Sequence, residues 1–199
     1  MKTTLLMRHF FIIVTMIVLT SCSLISPNRS QKNLYVLNSV PSIHLKKTHT
    51  AKTIMVSPVE ANTLYNTTAM AYTLRPYQIA YFAKNRWADT PANMIQTLII
   101  QALQNAHSFR SVVTPSFRGQ ADYVLNTQLI ELQQDFLQNP SVLRLKLQVQ
   151  FTNAASGNII RSKIISVTVP TLQNSPCGGA IAANIAVRQA LVQIVNFIQ

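Results

Sequence analysis

In Val142-Leu-Arg-Leu-Lys-Leu-Gln-Val-Gln-Phe151 apolar and polar residues alternate without a break from Leu143 onward. In an extended chain Leu143, Leu145, Leu147, Val149 and Phe151 point one way, and Arg144, Lys146, Gln148 and Gln150 the other. A period of two marks a strand with one buried and one wet face, the habit of an antiparallel sheet. Ala155-Ser156-Gly157-Asn158 supplies turn chemistry after it, so Ile159 to Val169 is expected to return as its antiparallel partner.

Outward from this hairpin, the preceding run from Asp122 to Leu132 also reads as a strand. Its alternation changes phase near Leu129-Ile130, which predicts a bulge. Shorter strands are expected at Asn33 to Asn38, Thr53 to Val59, Tyr72 to Leu74, Ile79 to Phe82 and Phe109 to Val113. Thr90-Pro91 is a helix start, with Thr90 as N-cap and Pro91 in the first turn. Met94, Ile95, Leu98, Ile99, Ala102, Leu103 and Ala106 then recur at three- and four-residue steps along one face. A last helix is expected from Ala180 to Ile198, opened by Gly178-Gly179, with Ile181, Ile185, Leu191, Ile194, Val195 and Ile198 along one side. Strands that return on themselves and two principal helices define an α+β fold. It is one two-layer domain over residues 34–199, a mainly antiparallel sheet with both helices packed on one face.

The N-terminus has a different character. Lys2, Arg8 and His9 precede the apolar run Phe10 to Leu19, which is too short for a mature membrane helix of about 20 residues. A basic segment followed by such a run is the pattern of an export signal. The run ends in Leu19-Thr20-Ser21-Cys22, which resembles the lipobox of bacterial lipoproteins. That resemblance implies a signal peptide over residues 1–21 and lipid attachment at Cys22, whose several acyl chains would hold it stably in a membrane. Ser23, standing where Asp favours inner-membrane retention, points to the outer membrane. Residues 22–33 then form a polar tether. Its eleven residues after Cys22 reach at most about 35–40 Å.

Of the 17 Lys and Arg residues, Lys2 and Arg8 leave with the signal, so 15 basic residues face 5 acidic ones, a formal charge of +10. The cations are scattered apart from Lys46-Lys47 and Lys52. That arrangement argues against nucleic acid and suits anionic head groups, an acidic protein or a solvated surface. No H-E-x-x-H, G-x-S-x-G, P-loop or C-x-x-C is present. His44, His49 and His107 stand apart, which predicts neither a metal site nor a cofactor. Glu131 and Asp135 are the closest carboxylate pair and are expected to line a solvated edge. Cys177 lies in a loop-like stretch, with no histidine beside it, and is expected to be a passive, buried thiol. The most informative cluster is Tyr77, Tyr81, Phe82 and Trp87, with Arg86 beside the only tryptophan, and Tyr81, Arg86 and Trp87 are its candidates for a partner interface. Trp beside Arg is typical of protein-interface anchors, whereas Trp87 could equally pack the start of the helix at Pro91.

Tyr81-Phe82, Arg86-Trp87 and Pro91 in that order resemble the ABC-type transport auxiliary lipoproteins, the PqiC-like family. The likeness continues through Phe109 and Val112, Ala121-Asp122-Tyr123-Val124-Leu125, Leu132, Asp135-Phe136, Gly178-Gly179 and Ala183-Asn184. Thr90 stands where a second proline is expected. The resemblance implies a non-enzymatic component of an Mce-type lipid transport system. Its partners would be an Mce-domain periplasmic protein of an ABC transporter, the outer membrane through the N-terminal lipid, and further copies of itself in a homo-oligomer. An alternative is an outer-membrane lipoprotein that regulates peptidoglycan synthesis by protein contact, a role for which the tether is short.

Overall fold

A computed structural model describes residues 32–42 and 50–199. The signal segment, Cys22, most of the tether and His44, Lys46, Lys47 and His49 lie outside the described residues. Among the described residues nine strands and two helices follow in the order β1 (Asn33–Tyr35), β2 (Thr50–Val56), β3 (Glu60–Ala61), β4 (Ala69–Thr73), β5 (Ala80–Trp87), α1 (Pro91–Ala106), β6 (Phe109–Val113), β7 (Tyr123–Asp135), β8 (Val142–Asn153), β9 (Ile159–Pro170) and α2 (Pro176–Phe197).

The expected hairpin is the largest piece of the sheet. β8 pairs antiparallel with β9, and on its other edge with the whole of β7, from Asp135↔Val142 to Tyr123↔Asn153. The register slips between Leu129 and Glu131, the bulge that the change of phase predicts. One extra residue there lets Leu132 join Leu125 and Leu129 on the buried face.

The far edge of β7 takes three short parallel strands in succession. β2 pairs with residues 123–125, β3 with 128–129 and β4 with 133–135. β6 adds to β2 in parallel, β5 adds to β4 antiparallel, and β1 adds to β5 in parallel. The long pairings are antiparallel, as expected, while the short parallel ones make the sheet mixed.

Both helices cover one face, α1 over β2 and β6 and α2 over β8 and β9, and they touch each other. Ile95, Leu98, Ile99, Ala102 and Leu103 of α1 are buried there, as the stripe predicts. α2 differs from expectation. It begins at Pro176, with Ser175 as N-cap, so Gly178 and Gly179 lie inside its first turn rather than ahead of it. Its buried face runs through Ala182, Ala183, Ala186, Val187, Ala190, Leu191 and Ile194, and Ile181 is exposed. Alanines take the inner stripe because small side chains let the helix lie close to the sheet. By length and composition α2 could cross a membrane, but half of its most apolar window is buried within the domain, as in a core helix.

Two further expectations are corrected. Glu131 and Asp135 are on no edge: β7 is paired on both sides, and Asp135 is buried with Arg144 Nε 2.8 Å from its carboxylate. Cys177 is exposed in the first turn of α2, because the helix start turns it outward while Gly178 and Gly179 face inward.

Candidate partner-binding site

β5 carries the three interface candidates of the cluster, Tyr81, Arg86 and Trp87, and they do different work. Trp87 is only 3% exposed, packed in the core, and its backbone N–H donates to Thr68 O at 2.8 Å. A large ring buried this fully gives its energy to folding, so Trp87 presents no docking surface in this domain. It anchors the end of β5 just before Thr90 accepts from Asn93 N at the head of α1. Arg86 is half-buried, and its Nη1 donates to Phe82 O at 2.9 Å. That bond closes the irregular stretch of β5 where the register with β4 shifts. Tyr81 alone is open, 39% exposed, its hydroxyl donating to Leu64 O at 3.0 Å.

Other residues of the same pattern hold segments together across long sequence distances. Asp122 accepts from Thr53 N at 2.8 Å and from Lys52 Nζ at 2.9 Å, tying β2 to the start of β7. The bond to Lys52 first, then that to Thr53 N, holds its carboxyl below the ordinary value. Asn184 on α2 donates to Val36 O and accepts from Asn38 N, both at 2.9 Å, clamping the segment that follows β1 onto the C-terminal helix. Tyr65 is buried, and desolvation followed by the nearby Glu131 charge pushes its hydroxyl up to about 12.

The carboxylates are engaged structurally: Asp135 with Arg144, Glu131 with Lys146, Asp122 with Lys52, and Asp89 with Thr90 N and Asn93 Nδ2. Glu60 lines a polar groove of about 510 Å3 on the helix-free face, with Asn126, Gln128, Gln148 and Gln150. The amides face outward there because they are the wet set of the alternation in β7 and β8. Among the described residues no group of three or more His, Cys, Asp or Glu is placed to hold a metal ion. The sequence singles out Tyr77 within the aromatic cluster but not the exposed apolar side chains Leu74, Leu137 and Leu172. Leu74 and Tyr77 share one short loop, Leu137 and Leu172 sit in two others, and only the sheet register brings the three loops to one end.

These features define an α+β domain whose accessible chemistry lies in surfaces: a polar groove, an open tyrosine and an apolar sheet end. The chain belongs to the ABC-type transport auxiliary lipoprotein component family, whose model matches residues 35–195. The fold is similar to that of protein XCC0632 from Xanthomonas campestris, at a TM-score of 0.77 and 14% identity over 83% of this chain and 95% of that one. A second solved structure, of an uncharacterised protein, gives a TM-score of 0.68 at 12% identity, over 85% of this chain and 99% of that one. At these identities the likeness speaks for the fold alone. No curated protein matches the sequence.

Proposed function

We propose that this protein is an outer-membrane lipoprotein, held through Cys22, that serves as a non-enzymatic docking component for an Mce-type ABC lipid transporter. The observation that carries the reading is the family match across residues 35–195 in a chain that also has a lipobox eleven residues before β1. The lipid supplies the address, and the short tether keeps the domain beside one membrane. Tyr81, with Arg86 shaping the strand behind it, is the accessible candidate for contact with the Mce-domain protein. Trp87 contributes only by holding that strand in place.

The test is crosslinking in intact cells followed by affinity purification of the wild-type chain and of Cys22→Ala. The wild type is expected in the outer-membrane fraction with an Mce-domain protein attached. Cys22→Ala is expected to be folded, unanchored and unable to support transport. Absence of any Mce-domain protein from crosslinked wild-type membranes would overturn the docking role.

A further inference from the structure

β4, β7 and β9 run in the same direction across the sheet. Thr73 pairs with Asp135, Asp135 with Val142 and Val142 with Pro170, so all three strands finish at one level. The segments that follow, residues 74–79, 136–141 and 171–175, therefore leave at a single end of the domain. Each carries large apolar side chains in solvent: Leu74 and Tyr77, Leu137, and Leu172, with Tyr77 at 107% and Leu172 at 81% exposure. None of the three contains a carboxylate, and the first contains Arg75.

This end is firmly built. Phe136 N donates to Thr73 O at 2.9 Å, Thr171 N to Ser141 O at 2.8 Å, and Ser141 N to Asn174 Oδ1 at 2.9 Å. The Phe136 ring lies 6.0 Å from Tyr72 and 6.3 Å from Phe82, supporting the loops from beneath. Tyr77 has φ 63°, a left-handed conformation uncommon for a bulky residue, at the loop tip. Domains that stay in water rarely gather large apolar side chains on one surface without a use for them.

The direction of β1 says what lies opposite. β1 is parallel to β5, which is antiparallel to β4, so β1 heads away from the end at which these loops project, and Asn33 pairs with Asn85, five residues along β5 from Ala80 at that end. Cys22 is eleven residues upstream, a reach of at most about 35–40 Å. We infer that this end of the sheet is a membrane-contacting surface. Leu74, Tyr77, Leu137 and Leu172 enter the interfacial layer of the bilayer that holds the lipid on Cys22, and Arg75 meets its phosphates. Tyrosine favours that layer because its ring is apolar and its hydroxyl polar, and a long cationic side chain reaches head groups while its stem stays in the apolar zone. The inference rests on the lipid-anchor reading and not on the identity of the transporter.

The test uses the full lipidated chain, reconstituted into phosphatidylethanolamine–phosphatidylglycerol vesicles with and without brominated acyl chains. Tyr77→Trp and Leu172→Trp place a fluorophore at the apolar end, and Phe117→Trp places one in the loop before β7, at the opposite end. Wild-type emission gives the Trp87 baseline. Brominated lipid is expected to quench the added emission of Tyr77→Trp and Leu172→Trp by about twofold or more, and to leave Phe117→Trp unchanged. Unquenched emission from both variants on vesicle-bound protein would overturn the inference while leaving the anchor intact. A blue shift without quenching would mean that a second copy or another protein covers this end, and would overturn it equally. Mass measurement of the Cys22 peptide reads the anchor independently, and an unmodified Cys22 would remove the basis of both readings.

Discussion

Asp122 shows how a soft sequence motif becomes a structural joint. Its two oxygens take a backbone N–H from Thr53 and the ammonium of Lys52, seventy residues away in the chain. Both bonds favour the ionised carboxylate, so its folded value lies below the ordinary 3.8. A lowered carboxylate value contributes stability that is present above about pH 4 and lost as pH falls through the folded value. Asp122→Asn is therefore expected to lower the melting temperature at pH 7 and to narrow the drop between pH 7 and pH 3. Thermal denaturation at the two pH values checks this, and an unchanged drop would remove Asp122 from the acid response. At this scale the sequence was partly legible. Asp122 and Asn184 stood out by resemblance, but their partners Thr53, Val36 and Asn38 are separated from them by too much chain for spacing to reveal. Trp87 was open to two readings, and its burial decides for packing.

The two helices start with the same signal, Thr90-Pro91 and Ser175-Pro176, and the glycines that follow mask the second in the sequence. Gly178-Gly179 looked like loop because glycine usually punctuates, yet here close packing accounts for both. A Cβ on Gly178 would come 2.2 Å from Gln173 O, and one on Gly179 would come 2.4 Å from Gln134 Oε1. A backbone carbonyl cannot yield as a side-chain amide can. Ala for Gly inside a helix ordinarily gains about 1 kcal/mol. Gly178→Ala is instead expected to cost about 1–3 kcal/mol through overpacking, and more than Gly179→Ala. Urea denaturation of the two variants checks the order; a stabilised Gly178→Ala would refute the account of that helix start. Strand existence was well read where alternation is long, as in β8 and at the β7 bulge. β3, with two residues, has no period to read, and the parallel partners of β7 follow from tertiary contacts alone.

For the molecule as a whole, β7 is the axis. It is bonded along one edge to β8 and along the other to β2, β3 and β4, and its Leu125, Leu129 and Leu132 are buried in the core. Amide exchange is accordingly expected to be slowest in β7 and β8 and fastest along the outer edge of β9 and in β1, which hydrogen-exchange mass spectrometry or NMR can check. Uniform protection across the sheet would contradict that hierarchy. The apolar sheet end belongs to this scale too, since no single loop announces it. The clamp made by Asn184 has a last consequence, in the order of events during synthesis. The first strand of the domain pairs with β5, and the segment after it is held by α1 and by a helix at the far end of the chain, so its clamp is incomplete until residue 184 has been made. A nascent chain of this design leaves its N-terminal segment unclamped until nearly complete, and one exported N-terminus first would pass that segment across a membrane before its clamp had been made.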